Sequence, residues 1–258
     1  MNKQYTLLLT ACIDPSVSNY KKHPSFRMDA LTRLNDYKIA LDYWLNYTDS
    51  RLTGIVFIEN SGFDISSLKE LVAERNNKNI QVEFIEKLAG PVPYGVHYGY
   101  SELEMIDYAF KYSRLISAST YIIKATGRLY FPKLKQLLNK YPGEFKIAID
   151  SRDYKILKYE KHYLVTTIFI INKDFYNSAL YDAKRLMTPE NGHMEKIYYS
   201  ILKPLYLKKE KGVILRFPFS MDPVGIGAHF NVNYSSKKKL FESAVRDAFR
   251  IFIPKLWI

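Results

Sequence analysis

An α/β domain with a mostly parallel central sheet flanked by helices is the fold class this sequence predicts. Three observations predict it. Short apolar, β-branched runs alternate along the first half of the chain with segments of helical period, the order in which parallel strands feed crossover helices. The 258 residues, 47% of them hydrophobic, suffice for one full core. No internal repeat or low-complexity tract divides the chain, and its one shift in composition falls near Ser235, which predicts a main domain over 1–234 and a basic amphipathic segment over 235–258.

The apolar run over 4–13 reads as the first strand. Residues 29–47 read as a helix with apolar positions at Leu31, Leu34, Ile39, Leu41 and Leu45. Residues 54–59 read as a second strand stopped by Asn60-Ser61-Gly62; Asp64 or Ser66 then caps a helix reaching Ala73, and 80–85 form a third strand. Two prolines and two glycines over 90–95 enforce a loop. Ser101, three residues before Glu104, has the spacing of a capping box, and Leu103, Ile106, Ala109 and Phe110 continue that helix to residue 113. A strand over 121–124, a helix over 132–140 with Pro132 at its start, and a strand over 145–149 follow. The second half reads as a strand over 162–171, helices over 175–187 and 193–202, a strand over 213–217 and a turn-rich loop over 220–227.

The chemical lead is Thr120-Tyr121-Ile122-Ile123-Lys124-Ala125-Thr126-Gly127-Arg128, an apolar strand ending in a cation, a glycine and a second cation. Ligands of open α/β sheets bind outside the carboxyl ends of the strands, so Lys124 and Arg128 point to an anionic ligand such as a phosphate or diphosphate. A salt-bridged strand end is the plainer alternative.

A formal charge of +12 favours an acidic partner: nucleic acid, an anionic membrane surface or a phosphorylated metabolite. The cations are spread along the chain except near residue 235 onward, and no nucleic-acid-binding motif occurs, so no nucleic acid is expected; a non-enzymatic nucleic-acid-binding α/β protein is the rival of a different class. The 22 tyrosines and 15 phenylalanines are expected to pack the core and rim a cleft. The single cysteine, Cys12, excludes internal disulfides and a cysteine-based zinc site. With neither a signal peptide nor a bilayer-spanning run, a cytoplasmic protein is expected. No Gly-x-Gly-x-x-Gly follows the first strand and no Gly-Lys-Ser/Thr phosphate loop occurs, which argues against dinucleotide oxidoreductases and P-loop kinases or ATPases.

Beyond Ser235, Lys237, Lys238, Lys239, Arg246, Arg250 and Lys255 alternate with large apolar residues. A helix over 238–252 sets Phe241, Val245, Phe249 and Phe252 along one side and several cations on the other, the pattern of a helix lying on the inner face of a membrane. A terminal helix docked on the protein's own core is the alternative.

The run over 7–13, followed by Ile55-Val56-Phe57-Ile58-Glu59-Asn60-Ser61-Gly62-Phe63-Asp64, resembles the start of a GT-A-type nucleotide-sugar glycosyltransferase, and the order of elements continues the resemblance over 4–227. In that superfamily the turn after the second strand touches the nucleotide base, which implies that role for Glu59, Asn60 and Ser61. Tyr98-Gly99-Tyr100-Ser101-Glu102 and the Lys-x-Thr-Gly-Arg run ending in Arg128 are similar to those of bacterial surface-polysaccharide (O-antigen and capsule) transferases. The resemblance implies a donor site formed by Thr10, Arg33, Glu59, Asn60, Ser61, Tyr98, Gly99, Lys124, Gly127 and Arg128; Arg33 could instead pair with Asp29 one turn away.

One departure matters. The fourth strand of such enzymes usually ends in an Asp-x-Asp metal motif, where this chain places Lys124 and Arg128. Ammonium and guanidinium groups can neutralise a departing phosphate, so a metal-independent site without a cofactor is expected. A Mg or Mn site at Asp150 and Asp153 is the rival, against the plainer reading of both as turn-capping aspartates. Transfer to a hydroxyl needs a proton acceptor, for which the resemblance implies Glu195; His193 is second, and Asp222, Glu102 and Glu104 remain open. The expected function is transfer of a sugar from a nucleotide-sugar donor to a glycan or lipid-linked acceptor, with a sugar-nucleotide transferase that makes the activated donor as an alternative.

Overall fold

A computed structural model describes residues 3–17, 27–156, 159–227 and 231–257. Its elements run β1 (Tyr5–Ala11), α1 (Ala30–Leu45), β2 (Leu52–Glu59), α2 (Ser66–Arg75), β3 (Gln81–Glu86), α3 (Gly99–Tyr112), α4 (Arg114–Ala118), β4 (Tyr121–Thr126), α5 (Leu134–Asn139), β5 (Ile147–Ile156), β6 (Tyr159–Asn172), α6 (Lys173–Phe175), α7 (Met194–Leu207), β7 (Val213–Ile214), β8 (Ile226–Gly227), β9 (Val232–Asn233) and α8 (Lys237–Phe252). Seven strands form one sheet in the order β3-β2-β1-β4-β6-β5-β7, and β8 pairs with β9 in a separate hairpin. The pairs β1/β2, β1/β4, β2/β3 and β5/β7 are parallel, while β6 runs antiparallel to both β4 and β5. This is the α/β class and mostly parallel sheet that the alternation of elements predicts.

Every residue of β1 is buried. A central parallel strand covered on both faces requires such a continuous apolar run, and successive side chains divide between the faces. Leu7 and Leu9 join Ile55, Phe57 and Ile123 under α1, α2 and α5, with Trp44 at the centre and its indole N–H donating to Leu129 O at 3.3 Å. Leu8 joins Val56, Ile58 and Ile122 on the other face, under α3 and α7, with Ile106, Phe110, Tyr198 and Leu202. The chain steps outward from β1 to β3 and returns on the far side of β1 as β4. The strand order therefore reverses between β1 and β4, and the carboxyl ends of those two strands frame the crevice where an open sheet takes its ligand.

Several elements differ from expectation for identifiable reasons. The capping box is not formed: α3 starts at Gly99, Ser101 is buried within it, and the Glu104 carboxylate instead accepts from Gly90 N at 2.9 Å and pairs with Lys87 at 3.3 Å. The helix expected over 175–187 is broken, because Asp107 binds Asp182 N at 3.1 Å and shares Lys184 with the Asp182 carboxylate, holding Asp182 at a φ of 62°. Only α6, one π-helical turn (Tyr176–Leu180) and a 3-10 turn (Ala183–Leu186) remain.

The strand expected to stop at residue 149 continues to Ile156, with a register shift between Ile149 and Asp150. Asp150 and Asp153 are therefore strand residues rather than turn caps. Asp150 is buried and binds Arg152 at 2.6 Å, Arg250 at 2.7 Å and Phe217 N at 3.1 Å. Arg250 belongs to α8, so the segment after residue 234 is docked on the sheet through its polar face. Asp222 and Asp247 add to this seam, the first accepting from Ser243 and Lys133 and the second from Ser220 N at 2.6 Å.

Burial alone would raise the Asp150 pKa, but Arg152 and Arg250 outweigh it and hold the carboxyl below the usual carboxylate range. A depressed folded-state pKa contributes stability that is present above the unfolded value, about 3.9, and is lost as pH falls below it. Asp150→Asn is expected to cost about 3–5 kcal/mol at neutral pH, as for one partner removed from a buried pair. In urea unfolding the wild-type advantage should shrink below pH of about 4; a constant difference across pH would contradict the assignment.

Candidate active site

A buried cation lies beside the strand-order reversal. Lys124 lies one turn of the pleat beyond Ile122 on the α3/α7 face, because β4 continues to Thr126 and does not end at Lys124 as expected. Its side chain is fully buried, with Nζ 2.5 Å from Glu102 Oε1 and donating to Thr166 O at 2.9 Å. Thr10, on β1, donates to the same Glu102 oxygen at 3.0 Å. That carbonyl is available because β6 is irregular here: its register against β5 jumps from Phe169 to Val165 across a single step from Ile149 to Asp150. Lys124 is thus committed to Glu102 and does not face the ligand space assigned to it by position.

Arg128 differs. It is half-buried, its Nε donates to Ile226 O at 3.1 Å, and among the described residues it forms no ion pair. Gly127 between the two cations has a backbone reason: its N–H donates to Thr10 O at 2.9 Å, and a Cβ there would stand 2.8 Å from that same oxygen.

Two carboxylates meet at this point. Glu102 is in the first turn of α3 and Glu195 in the first turn of α7, where the positive end of a helix favours acidic groups. Burial would raise Glu102, yet Lys124, the hydrogen bonds from Lys124 and Thr10, and Arg128 outweigh it and hold its carboxyl below the ordinary glutamate value. Glu195 moves the other way. Burial raises it and the Glu102 charge raises it further, opposed by its own backbone N–H, the Thr166 hydroxyl at 3.2 Å and Lys124. Two neighbouring carboxyl groups pushed apart in proton affinity are an arrangement that acid/base chemistry can use.

The two helix starts are pressed together. A Cβ on Gly99 would lie 3.2 Å from Met194 Cβ, and one on Gly192 would lie 2.9 Å from Thr188 O. His97 lies tilted against Tyr98, with ring centroids 3.8 Å apart, and against His193 at 4.2 Å, and its Nδ1 accepts from Gly99 N at 3.1 Å. Burial, with Glu195 and Glu102 adding to it, pushes the Tyr98 phenol upward, so it keeps its proton. His193 lies against His97, whereas Glu195 accepts from the Thr166 hydroxyl.

The turn after β2 is spent largely on itself. Glu59 is buried and accepts from Ile13 N, Ser61 N and Gly62 N, each at 2.9 Å, and from the Ser61 hydroxyl. Ser61 Oγ also accepts from Asp14 N at 3.0 Å. Glu59 and Ser61 therefore lock the loops after β1 and β2 together. Asn60 is the exception: it is 4% exposed, and its Oδ1 has no hydrogen-bond partner among the described residues. Arg33 does not pair with Asp29, which caps α1 through Thr32 N at 2.7 Å. Its guanidinium instead donates to Cys12 O at 2.9 and 2.5 Å and to Arg27 O at 3.2 Å, bracing the chain after β1. Burial pushes the Cys12 thiol up to about 11, which leaves it protonated.

The rival metal residues do not come together with this centre. Asp150 serves the α8 seam, and Asp153 is bound by Lys203 and His162 and donates its backbone N–H to Trp257 O at 2.8 Å. Among the described residues no group of three or more His, Cys, Asp or Glu side chains is placed to hold a metal ion. Among the described residues, Asp150 and Asp153 are each committed to ion pairs of their own, Asp150 with Arg152 and Arg250 and Asp153 with Lys203 and His162. Thr166 and His97 were not visible as site residues, since a threonine in a β-branched strand and a histidine beside a loop carry no signal of what they face.

No protein-family model matches the chain, and no curated protein matches it. Solved structures of similar shape include 4-diphosphocytidyl-2C-methyl-D-erythritol synthase from Anaerococcus prevotii, 10% identical over 96% of each chain with a TM-score of 0.48. Mouse xyloside xylosyltransferase 1 is 12% identical over 83% of this chain and 85% of its own, with a TM-score of 0.45. The glycosyltransferase GlyE of Streptococcus pneumoniae is 12% identical over 82% of this chain and 44% of its own, also at 0.45. Likeness at this distance transfers neither an activity nor a residue role.

A carboxyl whose folded-state pKa is raised costs stability as pH rises from the unfolded value, about 4.3, through the folded one. Glu195→Gln should therefore melt at a higher temperature than wild type near neutral pH, with the gain vanishing at pH of about 4. A variant less stable than wild type at neutral pH would contradict the raised proton affinity.

Proposed function

We propose that the chain is a nucleotide-sugar-dependent glycosyltransferase acting on a lipid-linked or growing glycan. The observation that supports this reading most is the pair of divergent carboxylates, Glu102 and Glu195, beside Arg128 at the strand-order reversal. Glycosyl transfer breaks the bond between the anomeric carbon and the donor phosphate oxygen, forms a bond from that carbon to an acceptor hydroxyl oxygen, and releases the hydroxyl proton. Glu195 receives the proton, and its raised affinity brings it closer to the working pH, where a general base is most effective. Arg128 meets the charge that develops on the departing phosphate. Lys124 acts through Glu102: it keeps that carboxylate charged, and the charge raises Glu195. Lys124 is accordingly a positioning residue, where the sequence pattern makes it a phosphate ligand. Asn60 Oδ1, buried and without a hydrogen-bond partner among the described residues, is an acceptor suited to an N–H of the nucleotide base.

The first glycine of the chain is Gly54, so β1 is followed by no glycine-rich cradle of backbone N–H groups for a triphosphate. That favours use of an activated sugar over its synthesis. Thermal-shift screening of uridine, guanosine, thymidine and cytidine nucleotide sugars should find one that stabilises the protein, by about 2.7 kcal/mol at a hundred times its Kd. Turnover should then release nucleoside diphosphate or monophosphate. Pyrophosphate release would instead assign a sugar-nucleotide transferase, and salt-dependent RNA or DNA binding without nucleotide-sugar binding would overturn the enzyme reading.

With that donor, Glu195→Gln should lower kcat by about 10²–10⁴-fold and leave donor Kd unchanged. Arg128→Ala should lower kcat/KM by about 10²–10³-fold. Asn60→Ala should weaken donor binding by about 2–12-fold with little effect on kcat. Wild-type kinetics in Glu195→Gln and Arg128→Ala would remove both assignments.

A further inference from the structure

The packing of α8 is inside out relative to an ordinary surface helix. Its polar side faces the protein: Arg250 binds Asp150, Ser243 donates to Asp222, Asp247 accepts from Ser220 N, and Ser243 is the one residue of the helix that is buried. Its apolar side faces outward. Leu240, Phe241, Ala244, Val245, Ala248, Ile251 and Phe252 are exposed and recur at the spacing of a single helix face, with Phe241 71%, Ile251 74% and Phe252 81% accessible. A helix on a soluble surface turns the opposite side to water, and contiguous exposed apolar surface of this kind marks an interaction site.

Charge decides what the face meets. Lys237 and Lys238 are exposed at one end of the stripe and Lys255 beyond the other, on a chain of formal charge +12. A second copy of the chain would bring equal positive charge against this rim, whereas an anionic surface neutralises it. We infer that α8 seats the protein on an anionic membrane, lying in the plane of the headgroups with its apolar face among the acyl chains and the flanking lysines on lipid phosphates.

The seat is joined to the crevice. Asp222 and Ser220, bound to α8, belong to the loop whose Ile226 O accepts from Arg128. On the proposed transfer reaction, that connection places the phosphate-binding end of the site beside a lipid-linked acceptor; membrane binding itself does not depend on that reaction.

Cosedimentation of the full chain with phosphatidylglycerol-containing and pure phosphatidylcholine vesicles tests the inference. Wild type should bind the anionic vesicles more tightly, with affinity falling as salt is raised. Phe241→Asp combined with Ile251→Asp should lose at least about tenfold in binding while keeping the wild-type melting temperature, since both side chains are already exposed. Lys237→Ala and Lys238→Ala should each lose about fivefold on anionic vesicles. Absence of wild-type binding, or equal binding by the Phe241/Ile251 variant, would overturn the inference. So would a wild-type dimer, seen by light scattering, that this variant converts to a monomer, because the face would then belong to a second copy.

Discussion

An ion pair between the buried Lys124 and the half-buried Glu102 organises the crevice. An ammonium taken out of water costs several kcal/mol unless a charge and further acceptors replace its hydration. Glu102 and the Thr166 carbonyl supply them, and each supply shapes the backbone. The N-terminus of α3 must reach over β4, which brings Gly99 against Met194, and β6 must leave its regular ladder so that Thr166 O points to the lysine. The Glu102 charge fixed in this way then adds to burial in raising Glu195. Strand sequence, strand irregularity and proton affinity are thus linked through one charge.

The fold was legible in the sequence chiefly because its central strands are nearly continuous apolar runs. Leu7, Leu8 and Leu9 could hardly belong anywhere but the middle of a covered sheet, where they lie with no exposure. The surroundings of the candidate residues were legible only in part. Lys124 and Arg128 were marked by position around the end of β4, and Glu195 by its place at the start of α7. Their division of labour was not legible, since it depends on whether β4 ends at residue 124 or 126, a shift of two residues that separates a lysine facing a ligand from one buried under α3. Glu59 likewise stands at its expected strand end, but four donors from the adjoining loops occupy its carboxylate. Nothing in a lone sequence distinguishes a carboxylate that binds its own backbone from one that binds a ligand.

The helix after residue 234 shows the same limit in another form. Its amphipathic pattern was evident, but a pattern does not say which face docks. The side that docks is the charged one: Asp150 lies buried beneath it, and Arg250 of α8 joins Arg152 in favouring the ionised carboxylate. The electrostatic demand of one strand residue thereby leaves the apolar stripe of α8 outward, and a core contact and a surface property have a common cause.

The divergence of the two carboxyl groups is the claim on which the chemical account stands. Carbon-13 NMR of protein labelled at the glutamate carboxyl carbon, titrated from acid to neutral pH with Glu102→Gln and Glu195→Gln used to assign the resonances, reads it directly. The account predicts that Glu102 titrates below, and Glu195 above, the ordinary glutamate value of about 4.3. Both groups titrating near that value, or in the reverse order, would contradict it.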